Sequence, residues 1–140
     1  MSYLLDTTVV SELIRPHANA GAIGWLEAQD EDQLFLSALT IGELEKGIAK
    51  LTDVKRKARL REWLRKDVAE RFADRVLAVN IVVARHWGTL VGESERKGQP
   101  LPVIDSLIAA TAIAHDLVVV SRNVGDFERC GARCLNPWTT

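Results

Sequence analysis

Short apolar runs that read as β-strands alternate with helical stretches along this 140-residue chain, and that alternation most restricts its fold. The runs are Tyr3–Leu5, Leu34–Leu36, Val76–Val79 and Leu117–Val120, the last being the clearest strand signal. They lack the apolar–polar alternation of a strand with one wet face. Strands covered on both faces, as in a parallel sheet wrapped by helices, have this composition. The intervening segments predict helices over Val9–Ile14, stopping before Pro16, over Gly21–Gln29, and from Thr40 onward. Residues 55–73 form an amphipathic pattern with Leu60, Trp63, Leu64, Val68 and Phe72 on one face. Asn80 can cap a helix over Ile81–Lys97 that stops at Gly98, Leu107–His115 is helical, and Ala132–Leu135 reads as a last edge strand. The expected fold is α/β: one domain over residues 1–140, three layers (α/β/α), with a central mostly parallel sheet of four to five short strands. Right-handed crossovers place the first and last full strands near each other.

Polar residues punctuate the carboxyl ends of these strands. Asp6 closes the first run, Glu43 lies in Ser37-Ala38-Leu39-Thr40-Ile41-Gly42-Glu43 after the second, and Asp105 follows Leu101-Pro102-Val103-Ile104. Asn123 and Asp126 follow Leu117–Val120. Each has a local explanation. Asp6 can cap a helix beginning near Val9, Thr40 and Glu43 can form a capping box, Asp105 can be an N-cap, and Asp126 can be a turn residue. Their joint placement is another matter, because ligands of open parallel sheets bind outside the carboxyl ends of the strands. Carboxylates delivered there from several strands repel one another unless a cation joins them. An all-oxygen set of this kind suits Mg²⁺, with Mn²⁺ as the alternative, and the expected chemistry is hydrolysis at phosphate.

Other chemistries lack their residues. There is no Gly-rich loop followed by Lys-Ser/Thr and no nucleophilic-serine elbow. An aspartyl-phosphate phosphatase would carry a second Asp where Thr8 stands, and a receiver domain would need paired acids ahead of Asp6. The cysteines, Cys130 and Cys134, find no His or Cys at zinc-ligand spacing and read as reduced thiols. No apolar run is long enough to span a bilayer and no secretion signal is evident, so a cytoplasmic protein without membrane association is expected. The net charge of −1 conceals an acidic first third and a basic stretch from Lys50 to Arg75 with ten bases against five acids. Such a face can meet a polyanion whatever the total charge. Trp25, Trp63 and Trp87 are candidates for core or interface, with burial expected of at least two.

Four segments, in order, resemble the PIN-domain ribonucleases of the VapC type, toxins of type II toxin–antitoxin pairs, and especially their FitB-like branch. They are Leu4-Leu5-Asp6-Thr7-Thr8-Val9-Val10-Ser11-Glu12, the segment Ser37 to Gly47 around Glu43, Ile104-Asp105-Ser106-Leu107-Ile108-Ala109-Ala110-Thr111-Ala112, and Val120-Ser121-Arg122-Asn123-Val124-Gly125-Asp126-Phe127. The resemblance spans the whole chain and implies a PIN-like fold and Mg²⁺-dependent endoribonuclease action on RNA, often tRNA. It implies that Asp6 and Asp105 hold the metal, that Glu43 completes the acidic pocket, and that Asn123 or Asp126 supplies the fourth polar group. Many relatives have an acid at Asn123 and an Asn at Thr8. Those two departures define the alternative, a catalytically weak module acting as co-repressor. Thr7, Thr8 and Arg122 are the implied substrate contacts, with the basic helix Lys55–Lys66 as a further phosphate-binding candidate. The implied partners are a VapB-like antitoxin, promoter DNA through that antitoxin, and a second copy of the chain in a homodimer.

Overall fold

The strands alternate their side chains between two apolar layers, and the fold follows from that. The computed structural model describes residues 1–139. In β1 (Tyr3–Leu5), Leu4 enters one core and Leu5 the other; in β4 (Val118–Val120), Val119 and Val120 divide in the same way. A strand with period-two geometry and no polar face needs cover on both sides. One layer is supplied by α1 (Thr7–Glu12), α2 (Ala20–Ala28), α3 (Ala38–Ala49) and α4 (Val54–Glu62) with its continuation. The other is supplied by α7 (Val103–Ala114) and α8 (Val124–Glu128), with Leu90 of α6 (Ile81–Arg96) packed against them.

All pairings are parallel. The order is β3-β2-β1-β4-β5, with β2 at Leu34–Ser37, β3 at Val76–Leu77 and β5 at Cys134–Leu135. The chain leaves β1 toward β2 on one side and returns to β4 on the other, with Leu5 opposite Val120. The juncture of β1 and β4 is therefore the topological switch point, where ligands of such sheets bind. The expected adjacency of first and last full strands is met.

Helix boundaries depart from the sequence expectation where site residues lie. Helix α3 begins at Ala38 because Ser37 caps it, its Oγ accepting the Leu39 N–H at 3.1 Å. Thr40 thus sits buried in the first turn, and the Thr40–Glu43 capping box does not form. Helix α7 begins at Val103, with Pro102 at the cap position, where its missing N–H costs nothing. Asp105 is consequently a first-turn residue and not the N-cap. Asn80 caps α6 as expected, accepting the Val83 N–H at 3.0 Å, and Gly98 takes a φ of +72° just beyond the helix.

The long amphipathic segment is helical from 54 to 71, with a π-type stretch at Trp63–Val68 between α4 and α5 (Ala69–Arg71). Its stripe buries Leu64, Val68 and Phe72. Several of its bases have structural duties. Arg65 grips Glu45 through two bonds of 3.0 and 3.1 Å, and Arg71 does the same to Glu31 at 2.7 and 3.1 Å. Arg75 donates to the carbonyls of Glu31 and Leu34 at 2.6 Å each, tying the end of this arm to the start of β2. Arg71 and Arg75 also lie over the Phe72 ring, 5.3 and 5.1 Å from its centroid. Lys55, Arg56, Arg59 and Lys66 remain exposed to solvent. Trp25, Trp63 and Trp87 are all half-buried, Trp25 and Trp63 against the first core and Trp87 donating to Ser106 Oγ at 3.0 Å.

Candidate active site

Asp6 lies one residue past β1, at the cap position of α1, and is 5% exposed. Its side chain caps nothing. Instead Ser121, one residue past β4, donates its hydroxyl to Asp6 Oδ2 at 2.8 Å, and Thr8 Oγ1 donates to the same oxygen at 3.2 Å. Ser121 Oγ in turn accepts the Asn123 N–H at 2.9 Å, so its proton is directed at Asp6. Two neutral hydroxyls thus fix the orientation of this buried carboxyl without supplying an opposite charge.

Three further acids gather at the same edge of the sheet. Glu43, half-buried on α3, accepts the Thr7 hydroxyl at 2.7 Å, which links α1 to α3. Asp105, half-buried in the first turn of α7, has its carboxyl pushed above the usual carboxylate range. Burial is the largest cause; the charges of Asp6, Asp126 and Glu43 add to it, and Arg129 opposes it. Asp6, Glu43 and Asp126 thus all act on Asp105 electrostatically, and Asp6 and Glu43 are further linked through Thr8 and Thr7 of α1. Compensation by bases is slight. Arg129 approaches Asp126 at 3.5 Å, on the exposed side of α8.

At the fourth position Asp126 acts on Asp105 by its charge and is itself paired with Arg129. Asn123 is exposed, its side chain makes no capping bond, and its backbone serves Ser121. Arg122, also exposed, stacks its guanidinium 4.6 Å from the Trp138 ring centroid, and its N–H lies 3.5 Å from Thr8 Oγ1. Of the residues singled out in the sequence, Asp6, Glu43, Asp105 and Asp126 are brought together, with Thr7 and Thr8 bracing two of them. Ser121 was given no role from sequence; the only signal was a hydroxyl residue directly after an apolar strand. Buried Glu12 was likewise unforeseen. It accepts the Asn19 N–H at 2.7 Å and holds Arg15 at 3.4 Å.

The donor set bears on which ion fits. Among the described residues no three Asp, Glu, His or Cys side chains form a ready-made metal cage. Zinc or another ion needing a complete protein shell is therefore a poor match. A hard divalent cation that retains several waters needs only one or two carboxylates, and an all-oxygen site rich in uncompensated negative charge suits it. The nearby thiols do not compete. Both are free, and burial with the adjacent carboxylates pushes Cys130 up and Cys134 up to about 12, so both stay protonated at neutral pH.

Comparison with known proteins agrees with this geometry. The PIN domain family matches residues 3–132. The chain is 34% identical to the VapC ribonuclease Y4jK of Sinorhizobium fredii, over 96% of each protein. It is 36% identical to the toxin FitB of Neisseria gonorrhoeae, over 96% of this chain and 97% of that one. Among solved structures, FitAB bound to an IR36 DNA fragment superposes with a TM-score of 0.89 at 33% identity, covering 97% of this chain and 95% of the other.

Proposed function

This chain belongs to the PIN-domain family, and from that premise we propose that it is an endoribonuclease, the toxin of a type II toxin–antitoxin pair, which hydrolyses RNA phosphodiester bonds at the Asp6–Glu43–Asp105–Asp126 cluster. The single observation that carries the reading is the geometry at Asp6: this carboxylate, 5% exposed just past β1, is held by the Ser121 and Thr8 hydroxyls, while Thr7 of the same helix holds Glu43 of α3 beside it. Like charges held together at the mouth of a sheet are a functional arrangement, since folding alone would separate or pair them.

Asp6 and Asp105 would hold the ion, for which Mg²⁺ is our choice and Mn²⁺ the alternative. Such an ion, when bound, polarises a phosphoryl oxygen and makes a water acidic enough to attack. The chain's own residues do the rest. Ser121 and Thr8 fix the direction of the Asp6 carboxylate. Glu43, steadied by Thr7, presents a second carboxylate able to orient the attacking water and accept its proton. Asp126 adds negative charge that favours cation entry, while Asn123 contributes through its backbone bond to Ser121. Thr7, Thr8 and Arg122 border this region as substrate contacts.

Of the two departures that define the co-repressor alternative, Thr8 and Asn123, the first still supplies a hydroxyl bonded to Asp6, which supports the ribonuclease reading. The partners we assign are RNA, tRNA foremost, a VapB-like antitoxin, and promoter DNA reached through that antitoxin. The exposed apolar residues Ile81, Val82, Val103 and Ile113 on α6 and α7 are the face we assign to self-association. Among the described residues no helix is long and apolar enough to cross a membrane.

Antitoxin-free protein incubated with a tRNA pool in Mg²⁺ tests the reading. Cleavage is expected, with its loss in EDTA and a fall of at least about a thousandfold in Asp6→Ala. Cleavage that persists at full rate in folded Asp6→Ala protein would falsify the assignment of the site.

A further inference from the structure

Beside the acidic cluster lies a cleft of about 240 Å³ lined by Thr7, Thr8, Ser11, Glu12, Arg15, Arg122 and Trp138. Thr8 forms part of both, since the hydroxyl that bonds Asp6 is on a residue of the cleft wall. The cleft holds two cations in different states. Arg15 is tied to buried Glu12. Arg122, exposed and one residue from Ser121, pairs with no carboxylate among the described residues and rests on the Trp138 ring.

That pairing is chemically informative. Arg129 folds onto Asp126, whereas Arg122 directly follows Ser121, whose hydroxyl donates to Asp6, yet among the described residues its guanidinium makes no ion pair. Here an aromatic face holds it instead, and an aromatic face restrains a cation without neutralising it. Trp138 is itself well fixed. Its N–H donates to Asn136 Oδ1 at 2.9 Å in a tight turn, and its ring packs against the first core. Among the described residues its buried indole nitrogen finds no hydrogen-bond partner, and the ring is kept in place by packing and by the turn.

We propose that Trp138 is a positioning residue that holds Arg122 away from the acidic cluster, so that the guanidinium grips an RNA backbone phosphate in the Thr7–Thr8–Ser11 cleft next to the bond being cut. The hydroxyls of Thr7, Thr8 and Ser11 supply donors and acceptors suited to a ribose-phosphate strand, and the free guanidinium supplies the charge. The inference rests on the ribonuclease reading and extends it to the neighbouring stretch of the strand.

The test compares Trp138→Leu, which keeps apolar bulk but loses the π face, with Trp138→Phe, which keeps a π face. Arg122→Ala and the Trp138→Leu/Arg122→Ala double variant complete the set. Each is assayed for cleavage of a tRNA pool and for binding of fluorescently labelled tRNA in EDTA, after folding is checked by circular dichroism. Trp138→Leu should raise KM about three- to tenfold with kcat within about twofold, and Trp138→Phe should recover most of the loss. The salt dependence of tRNA binding should become shallower by about one counterion in both Arg122→Ala and Trp138→Leu. If Trp138 acts through Arg122, the double variant is no worse than Arg122→Ala alone. Unchanged KM in folded Trp138→Leu, or additive losses in the double variant, overturns the inference and leaves the ribonuclease reading standing. If the wild type cleaves nothing, that reading fails. The clamp is then judged on tRNA binding: weaker binding with a shallower salt slope supports it, and unchanged binding in Trp138→Leu overturns it.

Discussion

Around the tips of β1, β2 and β4 the carboxylates lean on neutral hydroxyls, whereas along the helical arm from residue 54 to 75 the arginines lean on carboxylates and carbonyls. Asp6 has Ser121 and Thr8, and Glu43 has Thr7. Arg65 has Glu45, Arg71 has Glu31, and Arg75 has two main-chain carbonyls. A charge matched by its opposite needs no ligand and serves the scaffold. Charges of one sign, collected with only Arg129 opposing them, give an unfavourable interaction that a bound cation would relieve. Arg65, Arg71 and Arg75 of the basic stretch thus serve the scaffold, whereas Lys55, Arg56, Arg59 and Lys66 stay exposed.

Changes at either region should therefore be read by different instruments. Among changes to the groups that brace these charges, the largest effect is expected from Ser121→Ala, which frees the Asp6 carboxylate: activity on tRNA should fall about ten- to a hundredfold with only a modest loss of stability. Activity within twofold of wild type would mean that Asp6 needs no brace. Arg75→Ala should do the reverse. It removes two hydrogen bonds to main-chain carbonyls and costs about 2 kcal/mol, visible as an earlier urea midpoint, while cleavage by the folded fraction is unchanged.

Asp105→Asn should sharpen the contrast, because removing this charge stabilises the apo fold. The carboxyl of Asp105 is pushed up in the folded state, so its favourable, protonated form is fully present below the unfolded carboxylate range and is lost as pH rises through the raised value. In EDTA near pH 7 the variant should melt a few degrees above wild type, with the difference disappearing by about pH 4. Added Mg²⁺ should narrow the gap by stabilising wild type more. A variant that melts lower throughout the range would show that the acids do not repel. The smallest effect belongs to Arg65→Ala. Its partner pair is exposed and screened by solvent, so the urea midpoint should move little and cleavage should be untouched.

Much of this contrast was legible in the chain before its fold. Asp6, Glu43 and Asp126 could be picked out because each follows a strand, and parallel strands share one carboxyl end; Asp105 follows no strand and lies instead in the first turn of α7, the helix that leads into β4. Which bases of the 50–75 stretch are occupied could not be picked out, since Glu31 lies 40 residues from Arg71 and 44 from Arg75. The starts of α3 and α7 were misplaced by local rules: Thr40 and Asp105 are good caps, but Ser37 and Pro102 stand earlier and take those positions. Asn80, with no better capping residue just before it, was placed correctly.

The sequence by itself determined the sheet, the two apolar layers and the edge at which the acids emerge, because strand period and helix period are local properties of contiguous residues. Tertiary structure alone decided what each polar group faces. Ser121 reaches Asp6 across 115 residues of chain, and Arg122 meets Trp138 only because β4 and the turn after β5 end side by side. The physical reason is range: hydrophobic periodicity is written along the backbone, whereas hydrogen bonds and ring contacts act within about 3–6 Å in space and are indifferent to how far apart their partners lie in sequence.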